Sequence, residues 1–250
     1  MHPTYRLIIA ANRDEFYGRP TAPAQFWDDE PGILAGRDLL KRGTWMGVTT
    51  TGRFAALTNV RNPQEDASGK RSRGELVAEF LKGDASPERY MERAAKTRDD
   101  YPGYNLIVGD RDELYYYSNA GDAPKRLEPG VYGVSNHLLN TPWPKVKRGR
   151  EGLADILKGN DEQLSARLFE LLRQAEPAPD EQLPQTGVSL EWERLLSPIF
   201  VRSVAYAYGT RTSTVVLMSD TEIRFAEKSL PEEGATERSF HIVPLRKGTN

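Results

Sequence analysis

Asn12-Arg13-Asp14-Glu15 directly follows the apolar run Leu7-Ile8-Ile9-Ala10-Ala11. An amide, a guanidinium and two carboxylates thus end what reads as a buried strand, with neither Gly nor Pro as punctuation. Groups of this kind at the edge of a core need partners. Taken alone, the four residues fit a solvated strand end equally well. Three later strands also end in polar groups: Leu57-Thr58-Asn59 before Val60-Arg61-Asn62-Pro63, Val134-Ser135-Asn136, and Tyr208-Gly209-Thr210-Arg211-Thr212-Ser213-Thr214. Singly, either Asn fits a turn and Arg211 an exposed edge. Together, sheets sharing one end would gather Arg13, Asp14, Asn59, Asn136 and Arg211 around a single pocket. Adjacent residues of a strand face opposite ways. Arg13 and Asp14 therefore reach one site only if the strand breaks at Asn12, leaving one in the pocket and the other bracing the loop up to Arg19-Pro20.

The elements that must position these groups come in blocks. Strands are expected over 5–11 and, as a hairpin turning at Thr51-Gly52, over 44–50 and 53–59. A helix from Arg73 to Lys82 places Leu76, Val77, Phe80 and Leu81 on one face, and a second opens at Ser86-Pro87-Glu88 with an N-cap and Pro at its first position. Strands resume at Tyr104–Gly109 and Glu113–Ser118, with a short one at Val131–Val134. Helices are expected over Lys145–Lys158 and Asp161–Gln174, then a Pro-rich acidic surface loop over Ala175–Pro184. Strands at Ser213–Met218, Ile223–Lys228 and Ser239–Val243 close the chain. Alternation by blocks argues against a Rossmann-type βαβ series. It suits antiparallel sheets stacked together, with helices over their outer faces, in an α+β single domain over 1–250.

Composition narrows the function. Of 250 residues, 34 are Lys or Arg and 36 are Asp or Glu, a net charge of -2 that gives no basic field for nucleic acid. Cysteine is absent, which excludes disulfides, thiolate metal sites and a thiol nucleophile in the chain as given. Apolar runs fall far short of the roughly 20 residues of a membrane helix, and Met1-His2-Pro3-Thr4-Tyr5-Arg6 contains no secretory apolar region. A soluble, cytoplasmic protein without a membrane span is expected. No metal-ligand spacing, phosphate loop or Ser-His-Asp arrangement occurs. His137, next to Asn136, is the one histidine placed to approach the pocket, though a solvated loop position suits it better. His241 should face outward from its strand, and Trp27, Trp45 and Trp143 fit the core better than a pocket wall.

The segments Asn12-Arg13-Asp14-Glu15-Phe16-Tyr17, Arg19-Pro20, Leu34-Ala35-Gly36-Arg37-Asp38, Gly43-Thr44-Trp45-Met46-Gly47, Ala56-Leu57-Thr58-Asn59, Arg73-Gly74-Glu75-Leu76, Tyr104-Asn105-Leu106-Ile107, Gly133-Val134-Ser135-Asn136, Thr141-Pro142-Trp143 and Tyr208-Gly209-Thr210-Arg211-Thr212 occur in this order over most of the chain. The set resembles the NRDE family, which includes the transport and Golgi organisation proteins. That family is similar in turn to N-terminal-nucleophile hydrolases of the penicillin V acylase and bile-salt hydrolase type. The resemblance implies a four-layer αββα sandwich of two mostly antiparallel sheets between helical layers. It also implies that Arg13 and Asp14 hold a terminal amine and nucleophile, that Asn59 and Asn136 line the substrate site, and that Arg211 supports the nucleophile. The spacing of Arg13 and Asp14 differs from that of the acylases.

Family members usually begin Met-Cys and continue as an apolar strand, whereas this sequence begins Met1-His2-Pro3. A truncated or mis-started version of a longer protein is therefore expected, lacking the first strand, which would pair with 5–11, and leaving that sheet edge bare. With no terminal Cys, Ser or Thr, no N-terminal-nucleophile turnover is expected of the chain as written. The family's association with haem trafficking and with acyl-CoA or lipid handling implies binding of a small amphipathic ligand, without a required cofactor and with haem admitted as a ligand. The alternative is an amidohydrolase whose nucleophilic Cys lies upstream. Asn12, Arg13, Asp14, Glu15, Asn59, Asn136 and Arg211 are the pocket candidates. Arg37, Arg61, Arg73 and His137 are the candidate rim, where Arg would meet carboxylate or phosphate.

Overall fold

Three separate apolar cores define the layers of a computed structural model that describes residues 2–159, 161–230 and 236–244. The strands are β1 (Leu7–Phe16), β2 (Thr21–Trp27), β3 (Glu30–Asp38), β4 (Met46–Thr49), β5 (Phe54–Asn59) and β6 (Tyr104–Gly109). They continue as β7 (Leu114–Ser118), β8 (Lys125–Arg126), β9 (Arg202–Ser203), β10 (Tyr208–Met218), β11 (Ile223–Ser229) and β12 (Thr236–Ile242). The helices are α1 (Gly74–Lys82), α2 (Pro87–Lys96), α3 (Pro144–Ile156), α4 (Leu164–Leu172) and the short α5 (Leu190–Leu195).

Two antiparallel sheets form. One has the order β1-β10-β11-β12, with β9 beside β10; the other runs β2-β3-β4-β5-β6-β7-β8. Leu76, Val77, Phe80 and Leu81 of α1, with Tyr90 and Met91 of α2, fill the space over the larger sheet. Leu34, Val48, Phe54, Val216 and Phe225 lie between the sheets. Leu164, Leu168 and Leu172 of α4 pack on Val215 and Leu217 of β10. The layers therefore run helices, sheet, sheet, helices, and the α+β sandwich read from the sequence holds.

The alternation along β1 assigns its two faces. Leu7, Ile9 and Ala11 join the inter-sheet core, whereas Ile8 and Ala10 join the core under α4. Among the described residues β1 pairs only with β10, so its other edge is free. The expected break at Asn12 does not occur: β1 stays extended to Phe16. The irregularity lies opposite, in β10, where Arg13 pairs with Thr212 but Asp14 pairs with Thr210. Arg211 is the extra residue of this bulge and reverses the alternation of β10. Thr212 and Thr210 thus face opposite sides of the sheet.

Other departures have local causes. β2 and β3 were absent from the sequence reading because Pro23, Pro31 and Gly32 interrupt their alternation. Pro23 is tolerated since β2 is an edge strand, with its register shifted between Ala22 and Gln25. The strand expected at Val131–Val134 is absent. There the backbone is held by side chains: Thr58 Oγ1 donates to the Ser135 carbonyl (2.5 Å), and Asn105 Nδ2 to that of His137 (3.0 Å). Asn140 Oδ1 accepts from Gly133 N (2.9 Å).

Candidate ligand cavity

A cavity of about 1260 Å³ lies along the free edge of β1. Every residue from Leu7 to Glu15 touches it, so it wraps both faces of that strand. Its opposite walls are Ala56 of β5, Ile107 of β6, Val146 and Leu153 of α3, and Leu171 of α4. Apolar side chains line the middle of its length, and charged groups stand at both ends: Arg6, Arg111, Asp112 and Asp220 where β1 begins, and a second polar set where β1 and β5 finish and α3 begins.

On the inter-sheet face, Arg13 is nine-tenths buried and stacks on Trp45, with 4.3 Å between its guanidinium carbon and the ring centroid. Gly36 makes room for that indole, because a Cβ there would stand 2.3 Å from the ring. Arg13 Nη2 lies 3.5 Å from Glu15 Oε2, while the buried Nη1 has no hydrogen-bond partner. Burial lowers the Arg13 pKa, opposed by Glu15. Trp27 is core, as read from the sequence; Trp45, expected in the core, lines the cavity instead, and Trp143 lies under Arg61 and beside His137.

On the helical face, Asn12 is structural: its Nδ2 donates to the carbonyls of Leu172 (2.8 Å) and Ile199 (2.9 Å), and its Oδ1 accepts from Ser213 Oγ (2.7 Å). Asp14 Oδ1 accepts from Thr210 Oγ1 at 2.6 Å, a contact that exists because the Arg211 bulge turns Thr210 to that side. Burial raises the Asp14 pKa, with Lys145 and the Thr210 hydroxyl opposing. Lys145, in the first turn of α3, also lines the cavity. Its amine has neither hydrogen bond nor ion pair among the described residues, and burial pushes its pKa down to about 8.

Asn59 and Asn136 line the cavity together, Asn136 Nδ2 donating to the Asn59 carbonyl at 3.1 Å. Arg73 also reaches it and donates to the Gly103 carbonyl (3.1 Å). Four other candidates lie elsewhere. Arg211 points away and ties the loop after β1, Nη1 donating to the carbonyls of Phe16 (3.3 Å) and Arg19 (2.6 Å). The expected brace is therefore Arg211, not Arg13 or Asp14. Arg37 is taken up by Asp29 (Nη2 to Oδ2, 2.8 Å) and stacks on Trp27. Arg61 forms an ion pair with the buried Glu193 (2.9 Å), whose other oxygen accepts from Thr186. His137 is exposed, its Nδ1 2.9 Å from Thr141 Oγ1. His241 faces out toward Glu222.

Lys145 is the pocket residue absent from the sequence reading. The helix expected from Lys145 opens in the structure at Trp143-Pro144, and a lysine in a first turn reads as surface. The usable signal was that start itself, since it aims the first turn at whatever the preceding loop lines. Asn105 was also passed over; it is 1% exposed and anchors the Ser135–His137 loop that carries Asn136. No cluster of His, Cys, Asp and Glu suited to a metal ion occurs among the described residues, and no described helix is long and apolar enough to cross a membrane.

Two stacked antiparallel sheets between helical layers, with a cavity beside the free edge of β1, define an α+β sandwich protein. Residues 1–232 match the family described as Transport and Golgi organisation 2, and the chain belongs to that family, as the sequence motifs implied. It is similar to the Transport and Golgi organization protein 2 homolog of Bos taurus, 40% identical over 243 residues that cover 90% of this chain and 87% of the relative. The Homo sapiens homolog is 37% identical over 248 residues (92% and 88%). The Drosophila melanogaster protein is 31% identical over 250 residues (90% and 87%).

Proposed function

We propose that this chain is a non-enzymatic binder and carrier of an amphipathic acid of the acyl-lipid or acyl-CoA class, with its acyl chain in the trough along β1. The observation that carries this reading is the Arg13 guanidinium, nine-tenths buried in the cavity with its Nη1 unpartnered, beside apolar lining from Leu7, Ile9 and Ile107. Arg13 is the main headgroup contact: a carboxylate or phosphate supplies the acceptor its Nη1 lacks. A cargo role accords with the transport in the relatives' name. Haem offers propionate carboxylates to the same Arg; His137 lies outside the cavity, and His2 is the histidine that lines it.

The test is a set of parallel titrations with dodecanoate, dodecanoyl-CoA and haem, followed through tryptophan fluorescence. Saturable binding of the acyl ligands, weakened by Arg13→Ala, supports the reading. Absence of acyl binding, or binding indifferent to Arg13, sinks it.

A further inference from the structure

Lys145 and Asp14 are left over by that reading: an acyl acid needs a cation at the headgroup, not an amine beside a half-satisfied carboxylate. The other lysines of the cavity differ from Lys145. Lys70 is held by Glu65 at 3.0 Å and Lys41 is exposed, whereas Lys145 has no partner among the described residues. Asp14 is bound through Oδ1 alone, and its Oδ2 has no hydrogen-bond partner. The two groups interact electrostatically without forming a direct ion pair.

We propose that Lys145 is a carbonyl-reactive amine that captures long-chain aldehydes in this cavity as an imine. The proposal rests on the acyl-binding reading for the placement of the chain, and adds aldehydes as a ligand class with a covalent attachment point. The loss of charge that burial favours at Lys145 supplies free amine near neutral pH. Asp14, resisting ionisation for the same reason, is suited to pass a proton back and forth.

The steps balance. Asp14 carboxylate takes a proton from the Lys145 ammonium through an intervening water. The amine lone pair attacks the aldehyde carbon, the carbonyl electron pair moves to oxygen, and the nitrogen proton transfers to that oxygen to give a neutral carbinolamine. Protonated Asp14 then donates to the hydroxyl, which leaves as water while the nitrogen lone pair closes the C=N bond. An iminium results beside an Asp14 carboxylate, with one water released and no redox change. Hydrolysis reverses each step, so capture is reversible and suits a carrier.

The full chain is incubated with dodecanal or propanal and sodium cyanoborohydride, which reduces the imine to a stable secondary amine. Intact mass gives the extent and peptide mapping the site. Dodecanal is expected to give one adduct, at Lys145, at least tenfold faster than at any other lysine, and propanal no such preference. Lys145→Arg should abolish the selective adduct, and Asp14→Asn should slow it about a hundredfold while its cooperative thermal melt shows the chain still folded. Adducts spread over exposed lysines and unaltered in Lys145→Arg overturn the proposal. Dodecanoate binding on the same preparation separates the two readings. If dodecanoate binds and Lys145 stays unlabelled, aldehyde capture alone fails; if neither occurs, both fail.

Discussion

Arg13 and Asp14 are consecutive and leave β1 on opposite faces, yet both reach one cavity, because that cavity wraps the strand's free edge. The two residues therefore carry separable roles. Arg13→Ala removes the headgroup contact and should weaken dodecanoate binding about tenfold, at a stability cost of about 1 kcal/mol for the lost stacking on Trp45. Asp14→Asn keeps an acceptor for Thr210 and deletes a buried charge. It should leave stability within about 1 kcal/mol and not weaken dodecanoate. Isothermal titration and thermal melts on both variants check this; equal effects would contradict it.

Arg211 acts through geometry. Its Nη1 holds the carbonyls of Phe16 and Arg19, so Arg211→Ala leaves the 16–20 loop without its tie and should destabilise by about 1–3 kcal/mol. Limited proteolysis should show new cleavage between Phe16 and Pro20, with dodecanoate affinity changed less than in Arg13→Ala.

Gly36 tests how Trp45 is placed. A Cβ would meet the indole at 2.3 Å, so Gly36→Ala should push Trp45 off β3 at a cost of about 1–3 kcal/mol. The tryptophan emission maximum should shift, and Trp45→Leu in the same chain should relieve most of the destabilisation.

Glu227, 1% exposed between the sheets, accepts from the Ala24 amide at 2.7 Å across the bulge of β2. Burial raises its pKa, so its contribution to stability is present below the ordinary glutamate value and is lost as pH rises through the raised one. Glu227→Gln keeps the acceptor and should remove that pH dependence. Glu227→Ala strands the amide and should cost about 1–3 kcal/mol at every pH. Denaturant unfolding of the three proteins across the acid-to-neutral range measures both effects.

Lys145 has the opposite sign. Its pKa is lowered to about 8, so its contribution is full above the ordinary lysine value and is lost as pH falls to about 8. The unfolding free energy of the wild type minus that of Lys145→Met should decline by about 1–3 kcal/mol over that interval and stay level below it. A difference that does not change with pH would show that the amine is as well solvated as in the unfolded chain.

The layers were legible in the sequence because blocks of strand and helical patterning follow the layer order: α1 and α2 each bury one face, and β1, β5 and β6 are apolar runs that serve a core on either side. β2 and β3 were not, since an edge strand tolerates the Pro that sequence reading takes as a break. At the site, the polar strand ends announced Arg13, Asp14, Asn59 and Asn136. What they could not announce was the Arg211 bulge, which decides that Thr210 rather than Thr212 meets Asp14 and sends Arg211 to the loop. Arg37 and Arg61 were misplaced for a related reason: Asp29 meets Arg37 through the β2–β3 hairpin that the sequence conceals, and Glu193 meets Arg61 through a tertiary contact that no local pattern encodes.

Brominated dodecanoates test most directly whether the acid headgroup sits at Arg13 with its chain running down the edge of β1. Bromine quenches indole on close approach, and Trp45 marks the Arg13 end of the cavity. In a variant with Trp27, Trp143 and Trp192 replaced by Phe, α-bromododecanoate should quench Trp45 strongly and ω-bromododecanoate weakly, at equal saturation. Stronger quenching by the ω-brominated acid, or none by either at saturation, would contradict the placement.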